Sequence, residues 1–102
     1  MQKREKNKPL VWSNQAIKDL EHIFDYLLKN HTHDLATDVI EKILTEVETI
    51  SEFPRKGKIS QNYNEIRELV VESNTIYYRN NESDIVIASI RAKKNTDKKT
   101  IF

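Results

Sequence analysis

EIRELVVESNTIYYRNNESDIVIASIR, residues 65–91, decides the fold. Residues 65–72, 75–80 and 84–91 form three runs rich in β-branched and aromatic residues. Residues 73–74 and 81–83 separate them and have the length and composition of tight turns. The spacing predicts three consecutive strands joined as hairpins. The last run is apolar on both faces, which predicts a central strand. Each run also carries a cation: Arg67, Arg79 and Arg91. Long cations are not typical strand residues, so they call for a reason.

Upstream, the pattern changes from period 2 to period 3.6. Ser13 is a good N-cap, because its hydroxyl can accept from an orphan amide of a first helical turn. Ala16, Leu20, Ile23 and Leu27 then recur at helical spacing, with Ile17, Phe24 and Leu28 beside them. The stripe breaks at residues 30–32. Asp34 opens a second helix, in which Ala36, Ile40, Ile43, Val47 and Ile50 repeat the spacing and Val39, Leu44 and Phe53 widen the face. Pro54 ends it, since proline cannot continue a helix. The short break predicts an antiparallel helical hairpin. Ahead of the hairpin, residues 9–12 (PLVW) read as a short strand with proline at its tolerated first position. Gly57, the sole glycine, marks with Pro54 a connector, and residues 60–64 (SQNYN) read as loop.

The order is β-α-α-β-β-β. It predicts a single α+β domain over residues 1–102, with the helical hairpin packed on one face of a small, mostly antiparallel four-stranded sheet. A chain of 102 residues suits one core. The ends, residues 1–8 and 95–102, read as a basic arm and a fraying lysine-rich tail.

The net charge of +1 conceals an uneven distribution. Residues 1–12 carry +3, residues 13–53 carry −6, and residues 54–102 carry +4. A balanced total can therefore hide a basic face. The chain has no cysteine, which excludes a disulfide framework and a thiolate metal site. No apolar run approaches the ~20 residues that span a bilayer, and the charged N-terminus lacks a secretory apolar core. The expectation is a cytoplasmic protein with no membrane association and no cofactor.

A sheet covered by helices on one side leaves the other side open. Cations standing there would line a basic surface able to hold phosphates or a partner's carboxylates. Arg67, Arg79 and Arg91 are the candidate surface, with Tyr77, Lys93 and Lys94 beside them. The plainer alternative is that each arginine pairs with Glu65, Glu68, Glu72, Glu82 or Asp84 across the ladder. His31 and His33 could bind a metal as an H-x-H pair, but a polar interhelical loop explains them equally. The acidic helix residues read as a solvated face, and Trp12 as core. With one glycine there is no phosphate-cradling loop.

This ordered set resembles the RelE/ParE superfamily, the toxin halves of type II toxin–antitoxin pairs. Trp12 and Ser13, then Ala16, Asp19, Leu20, Ile23, Tyr26 and Leu27, are similar to that family's opening helix. Phe53, Pro54 and Gly57 resemble its connector. Residues 66–69 (IREL) with Tyr77, Tyr78 and Arg79 resemble its central hairpin, and residues 85–90 its last strand. Lys93, Lys94, Asn95 and Lys98 are similar to a tail motif in which many members carry proline where Thr96 stands. The resemblance covers roughly residues 9–99. It implies a cognate antitoxin as partner and one of two targets. The RelE-like branch cleaves messenger RNA on the ribosome. That needs a base, an acid and cations, and its members place histidine or tyrosine near the end of the last strand. Here that place reads SIRAKKN, with neither, although Tyr63 or Tyr77 could substitute. The ParE-like branch acts by binding, and its studied members poison DNA gyrase. The resemblance therefore favours a ParE-like growth inhibitor of a plasmid-stabilisation module. A RelE-type endoribonuclease and a degenerate homologue that only binds antitoxin are the alternatives. Catalytic residues are not assigned.

Overall fold

The computed structural model describes residues 7–92. The basic arm before Asn7, Lys93, Lys94 and the rest of the tail lie outside the described residues. Seven elements follow in chain order: β1 (Leu10–Trp12), α1 (Asn14–Asn30), α2 (His33–Glu52), β2 (Lys58–Ile59), β3 (Arg67–Val71), β4 (Asn74–Asn80) and β5 (Ile85–Ala92). The sheet runs β1-β5-β4-β3-β2, parallel between β1 and β5 and antiparallel elsewhere. It has five strands where the sequence reading expects four. The additional one is β2, a two-residue strand in the connector. Two residues cannot display an alternating pattern, so β2 exists only through its pairing with Glu68 and Arg67.

The helices form where their caps and apolar stripes place them. Ser13 Oγ accepts from the Ala16 amide at 3.0 Å, and Thr32 Oγ1 accepts from the Leu35 amide at 3.1 Å. The second helix thus begins at His33, one residue before the expected Asp34. Both helices lay their apolar stripes on one face of the sheet. Ala16, Ile43, Val47 and Ile50 meet Val71, Ile76, Tyr78, Ile85, Ile87 and Ile90 in one buried cluster. Trp12, Leu20, Ile23, Val39 and Leu69 pack around it, part-buried. No helix among the described residues is long and apolar enough to cross a membrane.

Two backbone irregularities set the geometry of the site. The β3–β4 hairpin turns through residues 72–73, with Val71 paired to Asn74. Glu72 there has φ 58°, which opens the turn in a region that favours glycine. The second irregularity is a bulge in β5. Tyr77 pairs with Ser89 but Tyr78 pairs with Ile87, so Ala88 is the additional residue. The bulge lets Ile87 and Ile90, three positions apart, both reach the core.

Candidate functional site: the uncovered face of the sheet

The register divides the candidate cations. Arg67 pairs with Tyr78, which is fully buried in the core, so Arg67 stands on the helix-covered face. Its Nη1 donates to the Gly57 carbonyl at 2.7 Å. It ties down the connector and does not share a face with Arg79. The expectation of three arginines on one open surface is corrected here. The reason is that Arg67 shares parity with Leu69 and Val71, which turn toward the helices.

Arg79 and Arg91 do lie together on the opposite face. Arg91 is paired with Thr75, four residues before Arg79 on β4, which separates the two by about 13 Å along the strand. Tyr77 stands between them. Simple alternation along residues 85–91 would put Arg91 on the face of Ile87, and the bulge at Ala88 breaks that alternation. Ser89, which pairs with Tyr77, remains on Arg91's side of the irregularity.

Each group on this face has a defined setting. Arg79 Nη1 donates to Glu65 Oε1 at 2.9 Å. Arg91 Nε donates to Ser89 Oγ at 2.9 Å. The rings of Tyr63 and Tyr77 meet edge to face, with centroids 6.0 Å apart. Burial pushes the Tyr77 hydroxyl above the usual tyrosine range, and the nearby Glu68 carboxylate and Tyr63 push the same way, against the smaller opposing effect of Arg91. Burial likewise raises Tyr78. The face therefore offers two guanidinium groups flanking a phenol that keeps its proton at neutral pH.

The chain matches the model of the ParE toxin of the type II toxin–antitoxin system parDE over residues 10–96. It belongs to the ParE toxin family. No curated protein matches the chain. Solved structures of the same fold include the chromosomal ParDE toxin–antitoxin system of P. aeruginosa. That likeness has a TM-score of 0.78 at 20% identity and covers 88% of this chain and 100% of the other. The RelBE2 toxin–antitoxin complex of Mycobacterium tuberculosis is also similar. Its TM-score is 0.66 at 15% identity, over 91% of this chain and 98% of that one.

Beneath the ParE face lies a support that the sequence reading does not anticipate. Strand β1 ends at Trp12, opposite Ile87, and α1 continues along the stretch of the β5 edge that β1 leaves unpaired. The Ser13 amide donates to the Ile87 carbonyl at 3.0 Å, and Ser13 Oγ donates to the bulged Ala88 carbonyl at 2.9 Å. Asp19, 6% exposed, then takes two donors with one oxygen. Its Oδ2 accepts from the Ser89 hydroxyl at 2.7 Å and from the Ile90 amide at 3.0 Å. Its Oδ1 accepts from Gln15 Nε2 at 2.8 Å. The hydroxyl proton of Ser89 is committed to Asp19, which leaves the Ser89 lone pairs for Arg91 Nε. A buried carboxylate on α1 is thus linked through the Ser89 hydroxyl to a cation on the sheet. The signal was available in the sequence: Asp19 interrupts the apolar stripe of Ala16, Leu20 and Ile23, where an unpaired carboxylate would be costly. Reading every helix acid as solvated is wrong for this residue.

The raised tyrosines carry a pH prediction. Tyr77 and Tyr78 have folded-state values above the unfolded value of about 10. Below that pH both are neutral in either state, and their full contribution to stability is present. Above it, the unfolded chain releases protons that the folded chain retains, so stability falls as pH rises. Urea denaturation at increasing pH is expected to show a falling midpoint from about pH 10 upward, with a shallower fall in Tyr77→Phe.

Proposed function

We propose that this ParE-family chain inhibits growth by binding its target with the uncovered face of the sheet, through Arg79, Arg91 and Tyr77. The target favoured by the family branch is DNA gyrase, and the setting is a plasmid-stabilisation module in the cytoplasm. Lys93 and Lys94 continue the sequence directly from the end of β5 and are proposed to extend the same basic surface. Arg67 is assigned to the connector instead.

The observation that carries this reading is the pairing of two guanidinium groups with a phenol whose proton is held. Guanidinium forks suit carboxylates and phosphates. A general base for RNA cleavage needs a pKa drawn toward neutrality, and Tyr77 is displaced the other way. Binding is therefore the better chemistry for this face than transesterification.

A cognate antitoxin is the proposed regulator. The helical hairpin presents Ile17, Tyr26, Leu28, Leu35 and Leu44 to solvent, each at least 39% exposed. An amphipathic antitoxin segment along that hairpin would cover them.

Induced expression tests the reading. Filamentation with gyrase-linked DNA breaks is expected. Rapid transcript loss at codon boundaries would support the endoribonuclease instead, and unimpaired growth a binding-only homologue. The double variant Arg79→Ala/Arg91→Ala is expected to keep its circular dichroism spectrum and lose toxicity. Two charge-assisted contacts worth roughly 2 kcal/mol each weaken target binding by on the order of 10³-fold. Full growth arrest by the folded double variant removes the arginines from the target surface.

A further inference from the structure

At the end of the sheet where β2, β3 and β4 meet lies a cavity of about 270 Å³. Its lining includes Ile59, Glu65, Ile66, Arg67, Arg79 and Asn80. Ile59 belongs to the edge strand β2, and Tyr77, Ser89 and Arg91 are not among the lining residues.

The cavity already holds a carboxylate supplied by the protein itself. Glu65 reaches Arg79 at 2.9 Å, yet its side chain is 72% exposed. Glu65 also adopts φ 62°, a left-handed conformation that L-residues other than asparagine and aspartate seldom take. Glu65 thus pairs with Arg79 from a disfavoured backbone and with little burial to hold it there. An exposed ion pair of this kind exchanges readily with a competing anion. The rest of the lining is mixed, with Arg67, Asn80 and Asn81 beside two isoleucines. Ile59 is 66% exposed, and Ile66 is buried. An acid-binding cation beside an exposed isoleucine on an edge strand matches a ligand that is acidic at one position and apolar at the next. A nucleic-acid backbone would use the cation and leave Ile59 in water.

We propose that this cavity is a docking notch for an acidic–apolar peptide segment of a partner protein. The partner's carboxylate replaces Glu65 on Arg79, and its adjacent apolar side chain covers Ile59. Arg79 is shared with the target surface proposed above, whereas Ile59 and Glu65 belong to the notch. The test therefore reads binding in solution, and the variants of Ile59 and Glu65, beside one of Arg79, make its failure distinguishable from a failure of the target reading.

Isotope-labelled full chain is titrated with acetyl-Leu-Glu-amide and followed by NMR. Acetyl-Leu-Gln-amide and inorganic phosphate serve as the neutral and the purely anionic probe. Saturable shifts are expected at the Ile59 methyl groups and the Arg79 Nε–H with the glutamate peptide. Glu65→Gly removes the competing carboxylate and suits the backbone, so binding is expected to tighten by about fivefold. Arg79→Gln should abolish it, and Ile59→Ser should weaken the peptide but not phosphate. An unchanged amide spectrum elsewhere certifies the fold of each variant. The proposal is overturned if neither the parent nor Glu65→Gly shows saturable shifts at the notch. It is equally overturned if the glutamine peptide binds as well, or if phosphate matches the glutamate peptide and Ile59→Ser leaves both unchanged.

Discussion

Tyr78→Phe is expected to lower the stability of the chain by about 3 kcal/mol, read from the urea midpoint at neutral pH. The substitution keeps the ring and removes one oxygen, so the loss is a hydrogen-bonding loss. Tyr78 is fully buried. Its hydroxyl donates to the Pro54 carbonyl at 2.7 Å and accepts from the Gly57 amide at 2.8 Å. Both partners belong to a connector whose Pro54 and Gly57 are themselves buried. Phenylalanine leaves a donor and an acceptor without water or replacement, at about 1–3 kcal/mol for each stranded group. A loss below about 0.5 kcal/mol would show that the connector relaxes to find other partners, because a single net hydrogen bond already exceeds that figure.

The same contact explains the glycine. A Cβ on Gly57 would stand 2.8 Å from the Glu68 carbonyl oxygen and 2.9 Å from the Tyr78 ring and hydroxyl. Neither the strand backbone nor a buried ring held by two hydrogen bonds can withdraw cheaply. Gly57 is required here for close approach, not for a left-handed conformation, since its φ is not positive. Arg67 completes the arrangement by donating to the Gly57 carbonyl. Lys56 adds an ion pair with Glu46 at 2.8 Å. The connector is thereby held to α2, β3 and β4, and it carries β2 with Ile59 to the rim of the proposed notch. Tyr78→Phe should therefore loosen that notch as well as destabilise the core.

The sequence makes the larger elements legible because their patterns are long. Seventeen- and twenty-residue helices repeat their apolar positions enough times to be unmistakable. The strands β3, β4 and β5 are visible because β-branched and aromatic residues concentrate there. The two-residue β2 has no period to read. The bulge is hidden for a related reason. Alternation through IVIASIR assigns Ile87 and Arg91 to one face, and only the pairing with β4 shows that Ala88 is the additional residue. The placement of Arg67 was open to a stricter reading. Leu69 and Val71 share its parity, and two apolar neighbours on one face predict the covered side. The family likeness reached further than periodicity did, because it rests on the order of motifs rather than on the path of any one strand. The roles of individual cations depend on partners distant in sequence, such as Gly57 for Arg67, Glu65 for Arg79 and Ser89 for Arg91.

Asp19→Ala is the second large effect, and it joins stability to the proposed surface. Alanine removes three accepted hydrogen bonds from a nearly buried site. Gln15 turns to solvent at little cost, since it is exposed. The Ile90 amide and the Ser89 hydroxyl cannot, because both residues are buried at the edge of β5, past the point where β1 ends. Hydrogen bonds to an ionised group contribute about 1.5–3 kcal/mol each, so a loss of roughly 3–5 kcal/mol is expected. Asp19→Asn separates charge from hydrogen bonding. Its amide oxygen can serve Ser89 and Ile90 while its NH₂ faces Gln15, which flips to accept. Asparagine should therefore recover more than half of the stability lost by alanine. The consequence for Arg91 follows from the hydroxyl. With Asp19 gone, nothing on α1 directs the Ser89 hydroxyl proton, and its lone pairs are no longer aimed at Arg91 Nε. In Asp19→Asn the Ser89 proton remains directed toward α1, and the Arg91 Nε–H NMR signal should stay near its parent position. In Asp19→Ala, under conditions where the chain is still folded, that signal should move and exchange faster with water. An unmoved signal in folded Asp19→Ala would mean that Asp19 holds the edge of the sheet without orienting the cation.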